Sequence, residues 1–370
     1  MRYRTFLLNE KVKLKIRKIL PSFEEWLKSE DARDHVKQIV RRVREFRNLL
    51  SEENIEKLTE PDFRKIIASL YAFAGWRNKD YVADRVLADK GIEVVKSELR
   101  GLLHGKGPFS ERYDHFTRNV RGLGPAGLTE ILAFFNPLEY GIWNEVSRKA
   151  LEFLDLGDEL QTRKYRITGS EYEKFNNALK EIYREIKPTF EKLETIEEAI
   201  DLLLVDLFLY YICEEVYPAS IFVERRTVIS EDYDFDHDEV VEKLVELGNG
   251  LGFEAESERL IAKGARVDVI WCAKIANLGV VSYVFEVHKG GSIDSLILNL
   301  QRAKNNPTVQ KLVVVANTKD LRKIKEEVSS LSEDFRKSLA YLEAKDVEKA
   351  YNLFVKLNAI IGRLELVKSF

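Results

Sequence analysis

The sequence predicts a multidomain chain, with an all-α N-terminal part followed by an α/β C-terminal domain. Three observations carry that expectation. Apolar residues recur with a period near 3.6 from about Ser22 through most of the first 155 positions. Beyond the acidic stretch Glu231–Asp238 the pattern alternates between helical and short β-type runs. At 370 residues the chain is also long enough for two or three domains of ~100–200 residues each. The expected divisions are a helical domain at 1–155, a helical acidic connector at 156–230 and the α/β domain at 231–370.

Near the start, Lys11, Lys13, Lys15 and Arg17 alternate with Val12, Leu14 and Ile16. That period of two fits a half-buried strand with one basic face, and a helix also accommodates it. From about Ser22 to Leu50, Ile39, Val43, Phe46 and Leu50 share one helical face, and Lys37, Arg41, Arg44 and Arg47 line another. Helical patterns follow at about 61–75, 80–88, 92–104, 109–120 and 170–216, with an apolar helix at 196–213. In the C-terminal domain the pattern predicts a helix at about 238–248 and strands near 252–257, 266–272 and 279–288. A helix at 292–305, a strand at 311–316, a helix at 319–330, a strand at 339–343 and a helix from Asp346 complete it. Gly248–Gly252 ends a helix before a strand, so it reads as a C-cap and turn rather than a dinucleotide loop.

The net charge of −3 conceals a division. Residues 1–150 carry 29 Lys and Arg against 22 Asp and Glu, residues 151–250 carry 11 against 25, and residues 251–370 carry 19 against 15. A basic head, an acidic middle and a mildly basic tail fit surfaces with different partners. The chain holds one Met and four Gln among abundant Lys and Glu, a bias that resembles thermophile proteins. Cys213 and Cys272 are too few for a disulfide framework and lack metal-ribbon spacing. The apolar stretch 199–211 contains Asp201 and Asp206 and reads as a buried helix, not a membrane span. With no export signal apparent, a cytoplasmic location is expected. No P-loop pattern occurs, so the chain is not expected to be an NTPase itself.

Chemistry concentrates on two acids inside apolar strands, Asp268 within Arg266–Cys272 and Glu286 within Val281–His288. A carboxylate buried in a sheet requires a metal, a cation or a proton. Alternation puts Glu286 and His288 on one face and turns Lys289 away, unless a bulge rotates it inward. Asp268 from the neighbouring strand would join Glu286 in holding one hard divalent cation, Mg²⁺ or Mn²⁺.

With the helix before these strands and the helix after them, this pattern resembles the PD-(D/E)xK nuclease superfamily, which includes restriction endonucleases and archaeal junction resolvases. The resemblance spans about residues 236–345 and implies a restriction-endonuclease-like fold. It assigns Asp268 and Glu286 as metal ligands, Glu239 or Glu242 as an acid from the preceding helix, and Gln301 as a polar group from the following one. His288 stands where the family has Lys. A neutral imidazole there would serve as a base, with Lys289 as the other candidate.

In the N-terminal half, Gly122-Leu-Gly124 lies between two helical patterns and would leave backbone N–H groups free at a helix start, an arrangement suited to a phosphate. Lys106, Arg118, Arg121 and Arg148 would surround it with positive charge. The segment 90–155 resembles a helix-hairpin-helix module of the DNA-glycosylase type, and also helical regions fused to ATPases of methyl-directed restriction systems. The carrying residues are Leu102–Lys106, Glu111, Arg112, Gly122–Gly124 and Asn136–Glu145. Trp143 and Asn144 stand about where a glycosylase places its catalytic Asp, so base excision is not expected.

These resemblances imply a metal-dependent endonuclease acting on duplex, branched or damaged DNA in repair or restriction. The hairpin and the stripe of Lys37, Arg41 and Arg44 would grip backbone phosphates, and a homodimer would cut both strands. The alternatives are a non-catalytic nucleic-acid-binding protein with a degenerate nuclease domain, and the partner of a separate ATPase.

Overall fold

The computed structural model describes residues 6–73, 80–190, 198–216, 233–262, 264–275 and 279–362. These form two compact units, a helical one through residue 216 and an α/β one from residue 233. The segment around Pro218, read from sequence as a boundary, lies outside the described residues.

The helical unit begins with α1 (Glu10–Trp26), whose buried Val12, Ile16, Ile19 and Phe23 follow helical spacing. The first segment is therefore a helix, and the strand alternative falls. Lys11 and Lys15, one turn apart, both reach Asp155 at 2.7 and 2.9 Å. Next come α2 (Glu30–Leu49), α3 (Glu52–Ile55), α4 (Glu60–Ser69) and α5 (Asp80–His104). The patterns at 80–88 and 92–104 are two helices that meet at a kink at Gly91, with φ 70° and ψ 173°. The unit continues through α6 (Phe109–Asn119), α7 (Pro125–Phe135), α8 (Glu145–Phe153), α9 (Gly157–Leu160), α10 (Gly169–Phe190) and α11 (Asp201–Tyr211). α10 packs on α1 and α6, and α11 packs on α7, α8 and α10. The described part of 156–230, expected as a connector, is thus built into the helical unit. No helix among the described residues is long and apolar enough to cross a membrane.

The α/β unit runs α12 (His237–Gly250), β1 (Glu254–Ala262), β2 (Ala265–Ile275), β3 (Gly279–His288), α13 (Ile293–Lys304), β4 (Val309–Ala316), α14 (Thr318–Ser329), α15 (Glu333–Ser338), β5 (Leu339–Glu343) and α16 (Ala344–Gly362). The strands form one mixed sheet in the order β1-β2-β3-β4-β5. The first three are antiparallel, and β3, β4 and β5 are parallel. On one face, the Trp271 indole N–H donates to the Leu244 carbonyl of α12 at 2.9 Å. On the other, Ile270, Val284, Leu312 and Val314 pack with Leu296 and Leu300 of α13 and Ile324 of α14. The Gly248–Gly252 segment does end a helix, and Asn249 holds the turn through the backbone of Ala255.

Candidate active site

The β2–β3 ladder pairs Val269 with Phe285 as its last rung toward the start of β2, and Asp268 and Glu286 occupy the next position on each strand. Directly opposed residues of an antiparallel pair project to the same face. Here the strands part, and the Asp268 carboxylate takes the Val287 N–H at 2.7 Å in place of a ladder bond. On β1 the residue at the same rung, Glu258, has φ 60°, a strained conformation for a non-glycine residue. Its side chain meets Arg266 at 3.3 Å.

Glu286 is buried, 8% exposed. Burial first, and then the Asp268 charge beside it, push its carboxyl up to about 9. The Asn299 side-chain amide of α13 donates to Glu286 Oε1 at 2.6 Å and to the Arg266 carbonyl at 2.8 Å, so one residue ties the helix to both strands. His237, the first residue of α12, places Nε2 3.4 Å from Asp268 Oδ2 and Nδ1 3.2 Å from Asp238. The Asp268 carboxylate holds this imidazole up at about 9.

Several expected site residues lie elsewhere. Gln301 is exposed, because α13 turns Leu296, Leu300 and Ala303 inward and leaves position 301 facing solvent. Asn299 flanks that buried face and reaches the carboxylates instead. Glu239 meets Lys243 at 3.2 Å one turn along α12, and Glu242 is half-buried further on. The group α12 brings to the acids is His237. His288 is buried on the Glu286 face, its imidazole held down by burial, with Asp320 and Lys323 of α14 acting on its charge. It makes no hydrogen bond or ion pair to the acids among the described residues. Lys289 points to Asp234 at 3.2 Å and lies over the Phe235 ring. Helical spacing from Ser292 could have selected Asn299 over Gln301. Nothing in the sequence pattern selects His237, which needs the docking of α12.

In the helical unit, Gly122 joins α6 to α7 with φ 92°, and a Cβ there would stand 3.0 Å from the Arg85 side chain. Gly124 caps α7 without a side-chain bond, but Pro125 and Gly127 in the first turn are buried, the latter against Phe73. Arg118, Arg121 and Lys106 are exposed, Arg118 donating to the Asp114 carbonyl. Arg148 is buried and donates to the Thr162 carbonyl, so it is not surface charge. The basic stripe is largely neutralised within the unit: Lys37 meets Asp34, Arg41 meets Glu45, and Arg44 and Arg47 both clasp Glu198 at 3.0 Å.

Two carboxylates pointing hard oxygen atoms at one place, with the Asp268 charge raising the cost of ionising Glu286, suit a divalent cation. Among the described residues no group of three or more His, Cys, Asp or Glu is placed to hold a metal ion. The pair would supply two arms, with backbone carbonyls and water completing the set. Comparison with family models, curated proteins and solved structures finds no match to this chain.

Proposed function

We propose that the α/β unit is a metal-dependent DNA nuclease of the restriction-endonuclease-like kind, with the helix-hairpin-helix-like part of the helical unit assisting DNA binding. One observation carries the reading: half-buried Asp268 and buried Glu286 meet on one rung where β2 and β3 part, and the Asp268 charge helps hold the Glu286 carboxyl up. The order helix, three antiparallel strands, helix, parallel strand supports it, since it agrees with the resemblance seen in the sequence.

Asp268 and Glu286 would hold Mg²⁺ or Mn²⁺, which when bound supplies a Lewis acid for a phosphodiester oxygen and lowers the pKa of water. Asn299 and the Val287 N–H fix the two carboxylates in place. His237, kept charged by Asp268, is suited to donate a hydrogen bond to a phosphate oxygen. His288, kept neutral by burial, is the imidazole able to accept a proton.

A second reading, a DNA-binding protein without cleavage, is favoured by one fact: no Lys reaches either acid among the described residues, and Lys289 pairs with Asp234. A Mn²⁺ cleavage assay on linear, flapped, mismatched, deaminated and methylated duplexes separates the two. The nuclease reading expects cleavage that Asp268→Ala abolishes while DNA binding persists. Cleavage undiminished in that variant removes the assignment, and absence of cleavage by the unmodified chain selects the second reading.

A further inference from the structure

α16 is apolar on two sides, and its own unit covers one of them. Val347 is buried, the Tyr351 ring lies 5.5 Å from the Lys243 ammonium of α12, and Phe354 packs on Gly250 at the end of that helix. These three residues share one side of α16 by helical spacing. Leu353 and Leu357, one turn apart, stand off that side and are 61% and 52% exposed, with Ala350 and Ile361 exposed beside them. Leu251, which follows Gly250, is exposed as well. Apolar side chains gathered in water on one surface mark a docking face.

Their spacing identifies what docks. Ala350, Leu353, Leu357, Ile360, Leu364 and Val367 follow one another at intervals of three, four, three, four and three. That is the a/d pattern of a helix that winds on another helix. A strict a/d stripe is narrower than the apolar face on which a helix lies against a membrane.

The flanking charges select the orientation. Lys349 and Lys356 fall at g positions, exposed and with no acid paired to them among the described residues. In a parallel pair each g residue meets the partner's e residue of the next heptad. Those e residues are Phe354 and Ile361, so each lysine stem would cover an apolar side chain and keep its ammonium in water. An antiparallel pair would instead oppose Lys356 and Arg363, two like charges.

We infer that the exposed seam of α16 pairs in parallel with the same seam of a second copy of this chain, as a two-stranded coiled coil. A surface that matches itself is what a two-fold dimer requires. The pairing stands whether or not the sheet cleaves DNA.

Sedimentation velocity of the full chain from about 1 to 100 µM tests it, with dimer expected in the upper part of that range. Leu353→Lys/Leu357→Lys is expected to weaken association by at least about 10-fold, because pairing would then bury like charges. Both positions are exposed in the single chain, so calorimetry is expected to show an unchanged α/β transition in that variant. Val355→Lys, exposed but outside the a/d set, is expected to leave association unchanged. Under mild oxidation Leu353→Cys is expected to give a disulfide-linked dimer that the unmodified chain, with Cys213 and Cys272, does not give. Failure of that cross-link removes the parallel pairing. A monomer at every concentration, or a dimer indifferent to the double variant, overturns the inference. Monomer captured through Leu353 and Leu357 on phosphatidylglycerol vesicles overturns it in favour of a membrane surface.

Discussion

Replacing Glu286 by Gln should stabilise the metal-free protein, and the gain should grow with pH. Burial and the Asp268 charge raise the Glu286 carboxyl from 4.5 to about 9. Between those values the folded chain keeps a proton that the unfolded chain releases. Stability therefore falls as pH rises from about 4.5 towards 9, by about 1.4 kcal/mol per unit. From 4.5 to pH 7 the fall is about 3 kcal/mol. Gln does not titrate, and its amide oxygen still accepts the Asn299 bond, so Glu286→Gln recovers on the order of 2–3 kcal/mol at pH 7 and almost none at pH 4. For a unit of this size that is a rise of about 10 °C in the α/β transition. Scanning calorimetry in chelator at pH 4, 6 and 8 measures it. A variant less stable than wild type at pH 8, or a difference independent of pH, would refute the reasoning.

Asn299→Ala removes two hydrogen bonds at the strand fork and should cost about 1–3 kcal/mol while weakening Mn²⁺ binding; Gln301→Ala, on the exposed face, should change stability by less than about 0.5 kcal/mol in the same urea titration. In the helical unit, burial holds both Glu130 and Asp206 up at about 7, and the Glu130 charge adds to the rise of Asp206. The folded unit thus keeps protons that the unfolded chain loses above about pH 4, so its stability should fall between about pH 4 and 7 and level off above. Asp206→Asn should flatten that fall, and an unaltered pH slope in urea unfolding would contradict it. Gly122→Ala should destabilise the helical unit by about 1 kcal/mol or more, because φ 92° disfavours any residue with a Cβ, and a thermal shift detects it.

The order of elements in the α/β unit was legible because strands and helices there differ in period. The β3 segment Gly279–His288 carries an apolar run that a helix would not bury on one side only. α1 was ambiguous because its lysines alternate with apolar residues over seven positions, a stretch too short to separate the two periods. α15 escaped notice because six residues make less than two turns. The carboxylate pair was legible since an acid within an apolar strand is costly wherever the strand goes. Its supporting side chains were not. Asn299 and His237 are selected by how α13 and α12 dock on the sheet, which local periodicity leaves open. Likewise, a basic stripe in sequence says nothing of Glu198, which lies about 150 residues away and neutralises Arg44 and Arg47.

The central claim is that Asp268 and Glu286 share one divalent cation in place of a proton. Calorimetric titration of the metal-free chain with Mn²⁺, in two buffers of different ionisation enthalpy at pH 7.5, addresses it directly. The account predicts one ion bound per chain with release of about one proton, and loss of both signals in Asp268→Ala. Binding unchanged in that variant, or no binding by the unmodified chain, would contradict it.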